Sequence, residues 1–210
     1  MMEKKKPFWE ESYKRPGKLD TFGGGNPNRT VVKVAATLKP AGLKALDVAC
    51  GEGRNALYLA GLGFQTSAFD ISESGIQKLN TVARERDLTI DTSICDMRTY
   101  EFPYQFDLIV CQGCLHLIKR EEWEGFIKRM KDSTVPGGLH IVGVFTDAVP
   151  EPEDQRGLMV GLFKEGELLE QYKDWEIIDS HAYKFTHTHP GGISHEHSCN
   201  DVVVKKPVNS

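Results

Sequence analysis

Residues 47–60, DVACGEGRNALYLA, decide how this chain is read. Gly51, Gly53 and Ala56 fit the spacing G-x-G-x-x-G/A, a tight turn between a strand and a helix at which a backbone approaches a ligand closely. Dinucleotide-binding proteins use such a turn to hold a pyrophosphate. Here Asp47 and Glu52 place two carboxylates beside it. A pyrophosphate prefers bare amides and a helix N-terminus, with no anion nearby. A ligand carrying cationic groups suits two carboxylates better.

Working outward, strands and helices alternate. LKALDVA (43–49) reads as a buried strand and Arg54 to Leu62 as a helix with Ala56, Leu57, Leu59 and Ala60 inward, ended by Gly61 and Gly63. FQTSAFD (64–70) is a second strand, and Ser72 caps a helix running to about Arg86. LTIDTSICD (88–96) and FDLIVCQ (106–112) are strands, with a helix over Glu121 to Lys131. The VPGG stretch at 135–138 reads as a turn into a fifth strand, LHIVGVF. Lys164 to Lys173 reads as a helix, and WEIIDSHAYKF and SCNDVVVKK as two closing strands. Upstream, Asn26 is placed to cap a helix through TVVKVAATL, with Pro27 in its first turn. This pattern is that of a doubly wound, mostly parallel α/β sheet of seven strands with an antiparallel C-terminal hairpin. Residues 1–26, aromatic and then glycine-rich, form an N-terminal lid segment, and residues 27–210 a single domain.

Composition narrows the function. A chain of 210 residues, 40% apolar, suits one globular domain. No apolar run approaches the ~20 residues of a bilayer span, and the basic start lacks the apolar stretch of a signal peptide. No membrane partner is expected. A formal charge of −4 with both signs interspersed leaves no basic footprint for nucleic acid. Five irregularly spaced cysteines read as free thiols in a reducing cytoplasm. The oligomer is open between monomer and homodimer.

In such sheets ligands bind outside the carboxyl ends of the strands. Asp47, Asp70 and Asp96 lie at or near that edge, and Asp70 stands 19 residues after Gly51, the spacing of a ribose-binding carboxylate.

The run LDVACGEGRNALYLA, with AFD (68–70), ICDM (94–97) and PGG (136–138), resembles the class I S-adenosylmethionine-dependent methyltransferases over about residues 27–145. CGEGRNALYLA, FKEGEL (163–168) and VVVKKP (202–207) are similar, more narrowly, to the tellurite-resistance methyltransferases. The resemblance implies a Rossmann-like methyltransferase domain using S-adenosyl-L-methionine, with S-adenosyl-L-homocysteine as product. It implies a small-molecule methyl acceptor, a thiol or a chalcogen oxyanion such as tellurite. The implied cofactor residues are Asp47, Ala49, Cys50, Gly51, Gly53 and Asn55 at the turn, Asp70 for the ribose, Ile71, Asp96 and Met97 around the adenine, and Cys111 near the methyl group. Tyr13 is the expected lid contact and Arg29 the expected partner of the cofactor carboxylate. Ala49 stands where the family usually has glycine, and a methyl is expected to be tolerable at a strand end while narrowing the approach to the cofactor.

His116 in CQGCLHLI is the foremost candidate base or orienter, set against the reading of a packed rim residue. His187, His189, His195 and His197 crowd the closing hairpin. They read as an exposed hairpin partly lining the substrate mouth, His187 first, rather than as metal ligands. Cys111 and Cys114 form a C-x-x-C without a partner pair for zinc. They read as buried fillers, with ligation of a soft metalloid as the sharper alternative. Two other function classes remain open, a nucleotide-binding oxidoreductase and a non-catalytic adenosylmethionine-binding protein.

Overall fold

The computed structural model describes residues 8–15, 19, 23–151, 156–188 and 194–208. Its seven strands lie in the order β3-β2-β1-β4-β5-β7-β6, the α/β sheet expected. The chain divides into two compact units, residues 1–101 and 102–210.

In the first unit β1 (Lys44–Val48), β2 (Gln65–Asp70) and β3 (Ile90–Ile94) pair in parallel. Helices α3 (Arg54–Leu62) and α4 (Glu73–Glu85) connect them. Ala56 and Leu57 of α3 meet Ile76, Leu79 and Ala83 of α4 over Ala68 of β2 in one buried cluster, because apolar residues recur at helical spacing along α4 while its other face is polar. Ala60 is only half-buried, and Asn55 takes a buried place instead. Ser72 caps α4 as expected, its hydroxyl accepting from Gly75 N–H at 3.1 Å. The cap of α2 (Arg29–Ala35) differs: it is Asn28, whose side chain accepts from Thr30 N–H at 2.8 Å. Asn26 stands before Pro27, which pushes the preceding residue out of helical backbone. A short α1 (Phe8–Tyr13) precedes it.

In the second unit β4 (Phe106–Gln112) and β5 (Thr134–Thr146) are parallel, β7 (Ser194–Lys205) runs antiparallel to β5, and β6 (Glu176–Thr188) antiparallel to β7. The VPGG stretch is not a turn before β5 but an irregularity within it. Phe106 pairs with Thr134 and Leu108 with Leu139, so β5 advances five residues against two. Two bonds to the chain end hold this bulge, Gly137 N–H to Lys206 O at 3.0 Å and Lys206 N–H to Gly138 O at 2.9 Å. Helix α5 (Arg120–Asp132) lies as expected. Helix α6 is only Glu167–Gln171, since Gly166 at φ 79° delays its start. Both hairpin strands extend further into the histidine-rich stretch than alternation indicated.

A buried polar relay anchors α5, β5 and α6. Thr134 Oγ1 donates to Met130 O at 2.6 Å, so it accepts from His140 Nε2–H at 2.7 Å. His140 Nδ1 then accepts the Tyr172 hydroxyl proton at 2.9 Å. Burial, with Lys131 and Lys206 nearby, holds this imidazole neutral, its pKa pushed down to about 3.

Candidate functional site

The glycine turn begins where β1 ends. Ala49 has φ 49° and Gly51 φ 56°, so the expectation that a methyl is easily tolerated at residue 49 is corrected. The strand has already ended at Val48, and the alanine occupies left-handed backbone that costs an L-residue about 1–2 kcal/mol. Gly53, at φ 79°, is the N-cap of α3 and offers no side chain to it. Asp47 fills that role from β1, accepting from Ala56 N–H at 2.9 Å. This carboxyl is buried, and burial raises its pKa to about 7 against the pull of the Ala56 amide. Asn55 is a tether, accepting from Asn28 N–H at 2.9 Å and joining the start of α3 to the cap of α2.

Asp70, the last residue of β2, closes the turn from the other side. One carboxylate oxygen accepts from Gly51 N–H and the other from Ser72 N–H, both at 2.8 Å. Burial raises its pKa, the Ser72 and Gly51 amides opposing. The Ile71 amide also pulls it down, and part of the carboxylate's roughly four lone-pair sites is left over for a ligand. Beside it Ile71 is 64% exposed, an apolar side chain left uncovered at the strand ends. Cys95 N–H donates to Asp70 O at 2.9 Å, which brings the start of the Cys95–Asp96–Met97 segment to the same edge.

Tyr13 caps the turn. A Cβ built on Gly51 would stand 2.6 Å from the Tyr13 hydroxyl, so glycine is what allows the ring to seat there. Burial, then Asp70 and Glu52, raise the Tyr13 pKa well above its ordinary value. Glu10 of the same helix binds the Ser72 and Ser74 hydroxyls at the start of α4, contacts that no local sequence signal announces. An 840 Å³ cavity is walled by Ser74, Gln77, Lys78 and Glu85 of α4 together with Tyr13 and Asn26, and neither Asp70 nor Ile71 lines it.

The carboxylates at the turn do not face a ligand as free anions. Glu52 is paired with Lys78 at 2.5 Å, and Asp47 is spent on α3. The electrostatic case against a pyrophosphate is therefore weaker than the sequence suggested, because the partner of Glu52 lies 26 residues away. Asp96 is likewise engaged: the Arg98 guanidinium and amide grip its carboxylate and hold its pKa low. Cys50 is half-buried, its thiol pKa raised by burial. Met97 is half-buried, and Arg29 is exposed at the first position of α2.

The second unit carries the other expected residues. His116 is buried, stacked on Phe145 at 4.2 Å between ring centroids, and its Nδ1 accepts from Phe145 N–H at 3.2 Å. Its ring proton therefore sits on Nε2. Burial, aided by His197, pushes its pKa down to about 3. His197 stacks on Phe145 at 4.7 Å, so two imidazoles bracket one phenyl ring. His195 and His197 are buried, not exposed as the hairpin's polarity suggested, because aromatic rings pack on them: His197 lies against Phe145 and Phe185, and His195 against His197. His187 pairs in register with His195, and His189 lies outside the described residues. Among the described residues no group of three or more His, Cys, Asp or Glu is placed to hold a metal ion. Cys111 and Cys114 are buried with their sulfurs 3.4 Å apart.

Residues 19–189 match the family model described as tellurite resistance protein TehB. The chain is 35% identical over 151 residues to a probable S-adenosyl-L-methionine-dependent methyltransferase TehB of Haemophilus influenzae, covering 71% of this chain and 51% of that protein. It thus spans about half the length of the curated relatives it matches. The crystal structure of TehB from Haemophilus influenzae superimposes with a TM-score of 0.76 at 30% identity, over 85% of this chain and 62% of that one. The N-methyltransferase NodS of Bradyrhizobium japonicum, solved with S-adenosyl-L-homocysteine, shares the fold at 16% identity, with a TM-score of 0.66 over 95% of this chain and 96% of that one.

Proposed function

Because the chain belongs to the TehB tellurite-resistance family of class I methyltransferase-fold proteins, we propose that it is an S-adenosyl-L-methionine-dependent methyltransferase acting on a small thiol or a chalcogen oxyanion such as tellurite. The observation that carries this reading is the fastening of Asp70 to Gly51 N–H at 2.8 Å. It sets an acceptor-only carboxylate and a close-approach glycine turn side by side at the strand ends. The donor set fits an adenosyl group: the remaining acceptor capacity of Asp70 suits ribose hydroxyls, the uncovered Ile71 suits the base, and the Gly51 turn, on which the Tyr13 ring is seated, suits the amino-acid chain once that ring gives way. When bound, the cofactor supplies a methyl group on a sulfonium, already activated for displacement.

The protein's own part is alignment and exclusion of water, which can contribute about 7–11 kcal/mol. Tyr13 and Glu10 hold the lid segment against the turn, and residues 1–26 as lid with 27–210 as one catalytic domain is the division we propose. His116 helps choose the acceptor. An imidazole pushed down to about 3 is too weak a base to deprotonate a hydroxyl near neutral pH. A thiolate or tellurite brings its own nucleophilic lone pair. Five free thiols fit a reducing cytoplasm, and no helix among the described residues is long and apolar enough to cross a membrane.

Calorimetric titration with S-adenosylhomocysteine, with NAD in a parallel cell, tests the cofactor. Micromolar binding of the former, weakened at least about tenfold in Asp70→Ala, is expected. Binding of NAD alone sinks the reading in favour of an oxidoreductase. Methyl transfer to a panel of thiols and tellurite then tests the acceptor, and cofactor binding without any turnover points to a non-catalytic binding protein.

A further inference from the structure

Cys111 closes β4 and Cys114 opens the 3₁₀ turn Leu115–Leu117. Gly113 between them has φ 74°, and this left-handed turn folds the second thiol back beside the first. The sulfurs lie 3.4 Å apart, far beyond the roughly 2.05 Å of a disulfide, so both are thiols. From this bite the geometry points to a dithiol site for a trivalent, pyramidal, thiophilic centre such as trivalent arsenic or antimony.

The argument is one of angle. Two metal–sulfur bonds of about 2.3 Å closing on a 3.4 Å edge meet at about 95°. A tetrahedral ion needs about 109°, hence sulfurs roughly 3.8 Å apart, and two further ligands. No such cluster exists among the described residues. A pyramidal p-block centre with a lone pair takes near-right angles and is satisfied by two thiolates and one oxygen or carbon. Soft thiolates are the ligands such a centre selects. Both thiols are buried, so entry of the ligand requires the turn around Gly113 to open, and a Cβ built on Gly113 would meet nothing within 4 Å.

Binding is a condensation without redox change. With phenylarsine oxide, two As–S bonds form and the As–O bond breaks. Both thiol protons leave with that oxygen as one water, and arsenic stays trivalent.

The test is intact mass of the full chain after incubation with phenylarsine oxide and excess 2-mercaptoethanol, a monothiol that strips singly held arsenic. One adduct per chain is expected, removed by dimercaptopropanol. Trypsin places it on the peptide between Arg98 and Lys119, which holds Cys111 and Cys114 and no other cysteine. Cys111→Ser and Cys114→Ser, each checked for a native thermal melt, lose the adduct, while Cys199→Ser and the double variant Cys50→Ser/Cys95→Ser keep it. No monothiol-resistant adduct on the native protein, or an adduct that maps elsewhere or survives Cys111→Ser, overturns the assignment.

Discussion

In the first unit the buried ionisable groups at the turn are carboxylates, and backbone amides answer them: Asp47 by Ala56, Asp70 by Gly51 and Ser72. In the second unit they are imidazoles, held by one or two neutral partners and by aromatic rings, His116 against Phe145 and His140 between Thr134 and Tyr172. Burial disfavours the charged form in both, but it drives the two kinds of group in opposite directions. Asp47 is raised to about 7, while His116 and His140 are lowered to about 3. The first unit keeps its carboxylates toward the strand ends, where backbone amides hold them. The second uses neutral imidazoles as packing pieces with a polar edge.

The sharpest way to break this comparison is pH. A lowered imidazole favours the fold fully above about pH 6.5 and loses that contribution as pH falls toward 3. A raised carboxyl favours it most below about pH 4 and loses the contribution as pH rises toward 7. Urea unfolding between pH 4 and pH 7 is expected to show a shallower acid loss in His116→Gln and in His140→Gln, by up to about 1.4 kcal/mol per pH unit each. Asp47→Asn steepens the acid loss by a comparable slope. Unchanged slopes in the two glutamine variants would mean that the imidazoles are not desolvated as described.

A smaller effect sharpens the comparison at single bonds. Asp47→Ala leaves α3 without its cap and is expected to cost about 1–3 kcal/mol in chemical denaturation at neutral pH. Tyr172→Phe leaves His140 Nδ1 without its donor and is expected to fall in the same range. Loss of S-adenosylhomocysteine binding is expected in the first variant and not in the second, and calorimetry reads the difference. The smallest effect has the opposite sign. Ala49→Gly removes left-handed strain and raises stability by about 1 kcal/mol, seen as a higher melting temperature.

Much of the fold was legible locally. Apolar runs gave β1, β2, β4 and the inner part of β5, alternation gave β3, and Gly63 ends α3 as expected while Gly61 lies inside it. Two of the failures share one cause: a distant partner. The bulge at residues 135–138 depends on Lys206, and the buried state of His197 on Phe145 and Phe185. The cap at Asn28 is set by a proline that a simple count places inside the helix.

The sequence by itself determined the alternation of strands and helices, the glycine turn and the carboxylate 19 residues beyond it, because side-chain periodicity and turn chemistry act over a few residues. Only the tertiary structure decided that Glu52 is neutralised by Lys78, that Asp96 is held by Arg98, that Ala49 carries strain and that His116 is a weak base. A carboxylate's or imidazole's working charge depends on what folding packs around it, and composition is silent on that packing.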